Sequence, residues 1–133
     1  MDKLKQSFLL HFLADIFYFV YIIFFPKKYD IFIVLIFFAQ CLHWIFLKNE
    51  CSLSYYEKKL INPEYKLGEN IKYVPHEDYL YNRNKPFIIS MHLFRVMVFI
   101  FIMCRNLDNN LIVGISMFNL VICINLIKLR YFI

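Results

Sequence analysis

Glycine and proline are scarce in these 133 residues, with two and four occurrences. That scarcity excludes collagen-like, linker-like and low-complexity chains, which are built on them. Charge is also thin: 19% of residues are Asp, Glu, Lys or Arg, while 61% are apolar or aromatic. An ordinary soluble domain carries about 25% charged residues and must cover a large surface for its volume. A water-facing globule of this size is therefore excluded. Sixteen Phe and ten Tyr exclude intrinsic disorder as well. No Cys-x-x-Cys pair occurs, and Cys41, Cys51, Cys104 and Cys123 lack the spacing of a zinc ribbon or disulfide framework. Three of the four lie in apolar runs, where cysteine packs as a small hydrophobe. A Gly-rich phosphate loop, a nucleophile elbow and a His-Glu-x-x-His helix are missing too.

What the chain does have is four apolar runs, at residues 7–25, 31–47, 87–104 and 111–127. Each is 17 to 19 residues long, close to the roughly 20 that a spanning helix needs. Unpaired backbone groups are costly in hydrocarbon, so such runs are expected to be helices. A soluble bundle would show a polar face every turn, and stretches such as Ile31 to Ala39 offer none. The expectation is one all-α domain, an integral membrane bundle of four transmembrane helices. Short links at 26–30 and 105–110 make two antiparallel hairpins, joined by a 39-residue loop at 48–86. Of fifteen Lys and Arg, eleven fall in the two ends and the long loop, three in the short links, and Arg95 inside a span. By the positive-inside rule, the multi-pass chain has both termini and the long loop cytosolic. His11 and Asp15 interrupt the first run and no small-x-small site precedes Pro26, so it reads as a retained helix rather than a cleaved signal.

Ionisable residues inside hydrocarbon are costly and normally face one another. His11 and Asp15 are four apart, and Gln40 and His43, His92 and Arg95, and Ser116 and Asn119 are each three apart, so every helix carries a polar stripe. Counted from the cytosolic ends at about 1.5 Å per residue, two layers emerge. Asp15, Gln40, Arg95 and Asn119 lie roughly 10 to 12 Å in, and His11, His43 and His92 roughly 6 to 8 Å in. The deeper layer is expected to be an Asp15–Arg95 ion pair with further hydrogen bonds from Gln40 and Asn119. It would otherwise line a proton path. The shallower layer is a candidate metal or haem site, since neutral imidazole suits zinc, copper and iron.

Within the loop, Ser54 to Glu57 fits a capping box, which starts a short helix there and ends it before Asn62-Pro63. That helix is expected to lie at the headgroups, with Lys58 and Lys59 meeting anionic lipid. Residues 68–86 read as irregular. Cys51 precedes the helix beside Lys48, which marks it as a candidate reactive thiol with His43 as partner.

The segment Cys51-Ser52-Leu53-Ser54-Tyr55-Tyr56-Glu57, followed by Leu60, resembles the Cys-Pro-Leu-Thr-x-x-Glu segment of a family of small bacterial four-helix membrane proteins of unknown function. Ser52 stands where that family has proline. The resemblance implies the same helix order and a capped helix after the second span, and it carries no catalytic residue.

The first expectation of function is a non-enzymatic structural or interaction protein without a cofactor. The alternatives are conduction of a proton or small ion, and metal- or haem-dependent redox chemistry. Expected partners are the bilayer with its anionic cytosolic headgroups and a membrane protein or a second copy. The basic residues form no coherent stripe, so nucleic acid is not expected.

Overall fold

A computed structural model describes residues 2–133. It is all-helical, with no strand among the described residues. The elements are α1 (Lys3–Phe24), a 3-10 turn (Lys27–Tyr29), α2 (Asp30–Phe46), α3 (Ser52–Ile61), α4 (Pro75–Tyr81), α5 (Lys85–Arg105), α6 (Asn110–Ile127) and a final π-helical turn (Lys128–Phe132). Four helical stretches, Lys3–Phe24, Lys27–Phe46, Lys85–Arg105 and Asn110–Phe132, are long and apolar enough to cross a membrane. Large apolar side chains such as Ile23, Phe24, Phe32, Ile36 and Phe46 face outward. In water that much exposed apolar surface would drive association.

Asparagines and an aspartate start α1, α5 and α6 by satisfying their first free N–H groups. Asp2 accepts from Leu4 N at 3.3 Å, Asn84 from Phe87 N at 3.2 Å, and Asn109 from Ile112 N at 3.2 Å. The core lies between α2, α5 and α6. Ile33, Val34, Phe37, Cys41 and Trp44 form one face of α2 at helical spacing, against Val98, Phe99 and Ile102 of α5 and Ile112, Cys123 and Leu126 of α6. Helix α1 packs on α5 and on the two short helices of the loop, α3 and α4.

The loop is therefore part of the packed body. Glu50, Ser54, Glu57, Lys58, Tyr65, Val74, Pro75, His76 and Glu77 are all buried. Two corrections to the sequence reading follow. Lys58, expected at lipid headgroups, donates to Glu50 Oε1 at 2.5 Å and to Asn70 O at 2.7 Å, and Tyr65 also donates to Glu50. Burial pushes the Lys58 ammonium below its usual range against the pull of Glu50. The ammonium is committed to an internal staple. The stretch expected to be irregular contains α4, which Pro75 opens at its first turn, where proline's missing N–H costs nothing.

Two successive residues in the left-handed region, Lys48 (φ 52°) and Asn49 (φ 67°), turn the chain sharply from α2 into α3. Gly68 (φ 80°) lies under this turn, and a Cβ there would stand 3.0 Å from Lys48 Cβ. Glycine is required at that crossing. The turn delivers Cys51 to the cap position of α3.

Candidate active site

Ser7, His11 and Asp15 recur every four residues on α1, so one face of that helix looks onto the loop. Glu57 of α3 and His76 of α4 meet it there. His11 Nδ1 lies 2.8 Å from Glu57 Oε1, and Ser7 Oγ donates to the same oxygen at 2.6 Å. His76 Nδ1 lies 3.2 Å from Glu57 Oε2, and its ring stacks on His11 with centroids 3.4 Å apart. Burial works to raise the Glu57 carboxyl, but the two histidines outweigh it and hold it near 2. An ionised carboxylate only accepts, which holds a proton on His11 Nδ1 and turns Nε2 away from Glu57.

Nε2 faces the Cys51 thiol, with Sγ 4.0 Å away. Burial raises the thiol, while His11 and the backbone N–H groups of Ser54 and Leu53 lower it, and the net result is about 7. The N-terminal N–H groups of a helix favour a thiolate in this way. Gln40 Nε2 approaches the sulfur from α2 at 3.6 Å. A thiol, a ring nitrogen with its other nitrogen fixed by a carboxylate, and a side-chain amide beside the sulfur thus converge from α1, α2 and α3.

These groups open onto a cavity of about 240 Å³. Its walls include Leu10, Ala14, Met91, Leu126 and Ile127 on the apolar side and Asp15, Glu77, His92 and Tyr131 on the polar side. Arg95 donates to Asp15 and lies 5.2 Å from the Tyr18 ring centroid, and Tyr81 donates to Asp15 at 2.6 Å. His92 Nε2 lies 3.0 Å from Glu77 Oε1 and 3.0 Å from the Tyr131 hydroxyl. Burial works to raise the Glu77 carboxyl, but His92, Tyr131 and His76 keep it below the usual range.

Several residues sit elsewhere than the sequence reading put them. Gln40 and Asn119 do not extend the Asp15–Arg95 pair, since Gln40 turns to Cys51 and Asn119 donates to Val34 O at 3.1 Å across the α2–α6 contact. The histidine layer is not assembled: His43 is exposed, His11 is held by Glu57 and His92 by Glu77. His11, not His43, is the ring beside Cys51. The capping box is absent, because Ser54 Oγ has no partner and Glu57 is taken by the histidines. Sequence reasoning missed Glu57, His76, Glu77, Tyr81 and Tyr131, all supplied by the loop or the C-terminal turn.

Among the described residues, His11, Glu57 and His76 offer ligand atoms within 4.8 Å of one another, close enough to share a transition-metal ion. The rings are parallel to within 9°. Each turns Nδ1 to one oxygen of Glu57, His11 at 2.8 Å and His76 at 3.2 Å. The same geometry suits one carboxylate receiving two N–H groups. No family model matches the chain, and no curated protein or solved structure matches it either.

Proposed function

We propose that this protein is a multi-pass membrane thiol enzyme that transfers or hydrolyses acyl groups. Its four long helices cross the bilayer, and the two ends and the loop lie on the cytosolic side, where eleven of the fifteen Lys and Arg are found. The observation that carries the reading is the line Cys51, His11, Glu57, with Cys51 and His11 on the wall of a part-apolar cavity and Glu57 buried behind them. A nucleophile beside a base that is oriented by a third group is the general signature of covalent catalysis.

In the reaction, the Cys51 thiolate attacks the acyl carbonyl and a C–S bond forms. Negative charge collects on the carbonyl oxygen beside the Gln40 amide. The C–O bond to the leaving alcohol breaks as His11 gives that oxygen its proton. Water or a second alcohol then passes a proton to His11 and attacks the thioester, the C–S bond breaks, and the thiolate returns. Glu57 touches no reacting atom; it fixes the tautomer and orientation of His11. The apolar walls and flanking lipid suit a long acyl chain.

Ion conduction ranks lower. Phe37 on α2 lines the cavity, and Val34 on α2 with Phe99 and Ile102 on α5 lie between the cavity-lining residues and the Asp30 cluster along those helices; all four are almost wholly buried. A purely structural role leaves the position of the thiol unused.

The test uses the full chain in lipid nanodiscs and a long-chain p-nitrophenyl ester. Intact mass should rise by one acyl group, and hydroxylamine should remove it. Cys51→Ser should remove the adduct, and His11→Asn should slow its formation by about 10² to 10⁴. An adduct on another cysteine, or none, overturns the reading.

A further inference from the structure

Three of the cations that reach into the interior of this protein are paired with carboxylates. Arg95 has Asp15, Arg105 has Asp30 and Lys58 has Glu50. Arg130, on the cavity wall in the C-terminal turn, makes no ion pair with a carboxylate among the described residues. Its Nη2 donates to Asn49 O at 3.0 Å, and its Nε is buried without a partner. A half-buried cation whose Nε is shut off from solvent and bonded to nothing leaves room for an anion.

Two other groups on the same wall share this condition. Trp44 Nε1 and Ser54 Oγ lack hydrogen-bond partners, in residues only 7% and 3% exposed. Indole nitrogen donates only, guanidinium donates only, and a hydroxyl donates as readily as it accepts. The unsatisfied groups on the cavity wall can thus all donate, and one of them carries a positive charge. These groups also lie close together along the chain: Asn49 N donates to Trp44 O at 2.7 Å, and Asn49 holds Arg130. Asn49 precedes Cys51 by two residues, at most about 7 Å of chain.

Resting on the acyl-transfer reading above, we propose that Trp44, Ser54 and Arg130 form a subsite for a phosphate group, and that the acyl donor is a glycerophospholipid. Ionised phosphate oxygens accept hydrogen bonds and supply the negative partner that Arg130 lacks. In such a lipid a short glycerol backbone links the ester carbonyl to the phosphate, matching a thiol and an anion site on neighbouring stretches of one wall. The cavity lies at the end of the bundle where the loop and both ends of the chain meet, the level at which headgroups reside.

The test reads binding separately from chemistry. Full-length protein carrying Cys51→Ser, in nanodiscs of neutral lipid, is titrated with dioleoyl phosphatidic acid and with dioleoylglycerol, which has the same chains and no phosphate. Phosphatidic acid should bind at least about tenfold more tightly, the worth of a charge-assisted bond. Arg130→Gln should erase that difference, and Arg130→Lys should keep part of it while losing the Nε contact. Equal affinity for the two lipids, or an unchanged preference in Arg130→Gln protein of native melting temperature, overturns the subsite. Should Arg130→Gln fail to fold, Trp44→Phe, which removes only the indole donor, is expected to lower the preference severalfold, and an unchanged preference overturns the proposal. Inorganic phosphate displacing the lipid at equal concentration would overturn the lipid assignment in favour of a free anion. Loss of the acyl adduct with lipid preference intact would instead count against the thiol chemistry alone.

Discussion

The two ends of the helical bundle each bury a cluster of charged and polar groups, and the contrast between them separates a clamp from a site. At the end made by the short links, Asp30 is fully buried and receives bonds from Tyr21 at 2.5 Å, from Asn106 at 2.6 Å and from Arg105 Nε at 2.7 Å. Every strong valence there is used inside the protein, and no reactive group is left over. At the loop end the same residue types leave a thiol facing an imidazole, a cavity beside them, and donors without acceptors. Buried polar groups normally find partners, so those left open in a built cavity mark where a ligand belongs.

The largest expected difference between the ends is in chemistry. Cys51→Ser should abolish acyl transfer in a nanodisc assay without moving the melting temperature, whereas no substitution around Asp30 should change turnover in protein that remains folded. Next in size is stability. Asp30→Ala leaves Arg105, Asn106 and Tyr21 unpaired and should cost about 3 to 5 kcal/mol in denaturant unfolding; a loss below about 1 kcal/mol would show that the clamp is not one. The loop staple should respond similarly, with Lys58→Ala costing about 3 to 5 kcal/mol.

A smaller effect reads the Glu57 contacts at the loop end by acid. The folded Glu57 carboxyl sits at about 2, below its ordinary 4.5, so its stabilisation is complete above pH 4.5 and is lost as pH falls from there toward 2. Melting temperature followed from pH 6 to 3 should show this acid limb in the native protein and a flatter one in Glu57→Gln; identical limbs would remove Glu57 from the relay. The smallest expected effect is at Lys59, which bonds only to Pro63 O at the surface. Lys59→Ala should stay within about 0.5 kcal/mol of native stability, despite its place beside Lys58.

The four long helices were legible in the sequence because hydrocarbon leaves the backbone few alternatives, and their ends fall within a few residues of the apolar runs. Counting depth also put Asp15 and Arg95 level, and the guanidinium meets the carboxylate. The site was far less legible. Its carboxylates and second imidazole, Glu57, Glu77 and His76, belong to a charge-balanced loop whose composition reads as solvated, and nothing local says that it folds back against α1. One sign was available: a loop of 39 residues without structure is rare in a compact domain. Ser54 and Glu57 show the converse error, where a correct local pattern loses to tertiary contacts, because two histidines hold the carboxylate more strongly than a cap N–H would.

The most direct measurement of the central claim is the rate of Cys51 alkylation by iodoacetamide against pH, in nanodiscs, for native protein and His11→Asn. An activated thiol predicts a midpoint near 7 in the native protein, and a shift toward the ordinary value of about 8.5 when His11 is replaced. A native midpoint already at that ordinary value, unmoved by the substitution, would contradict it.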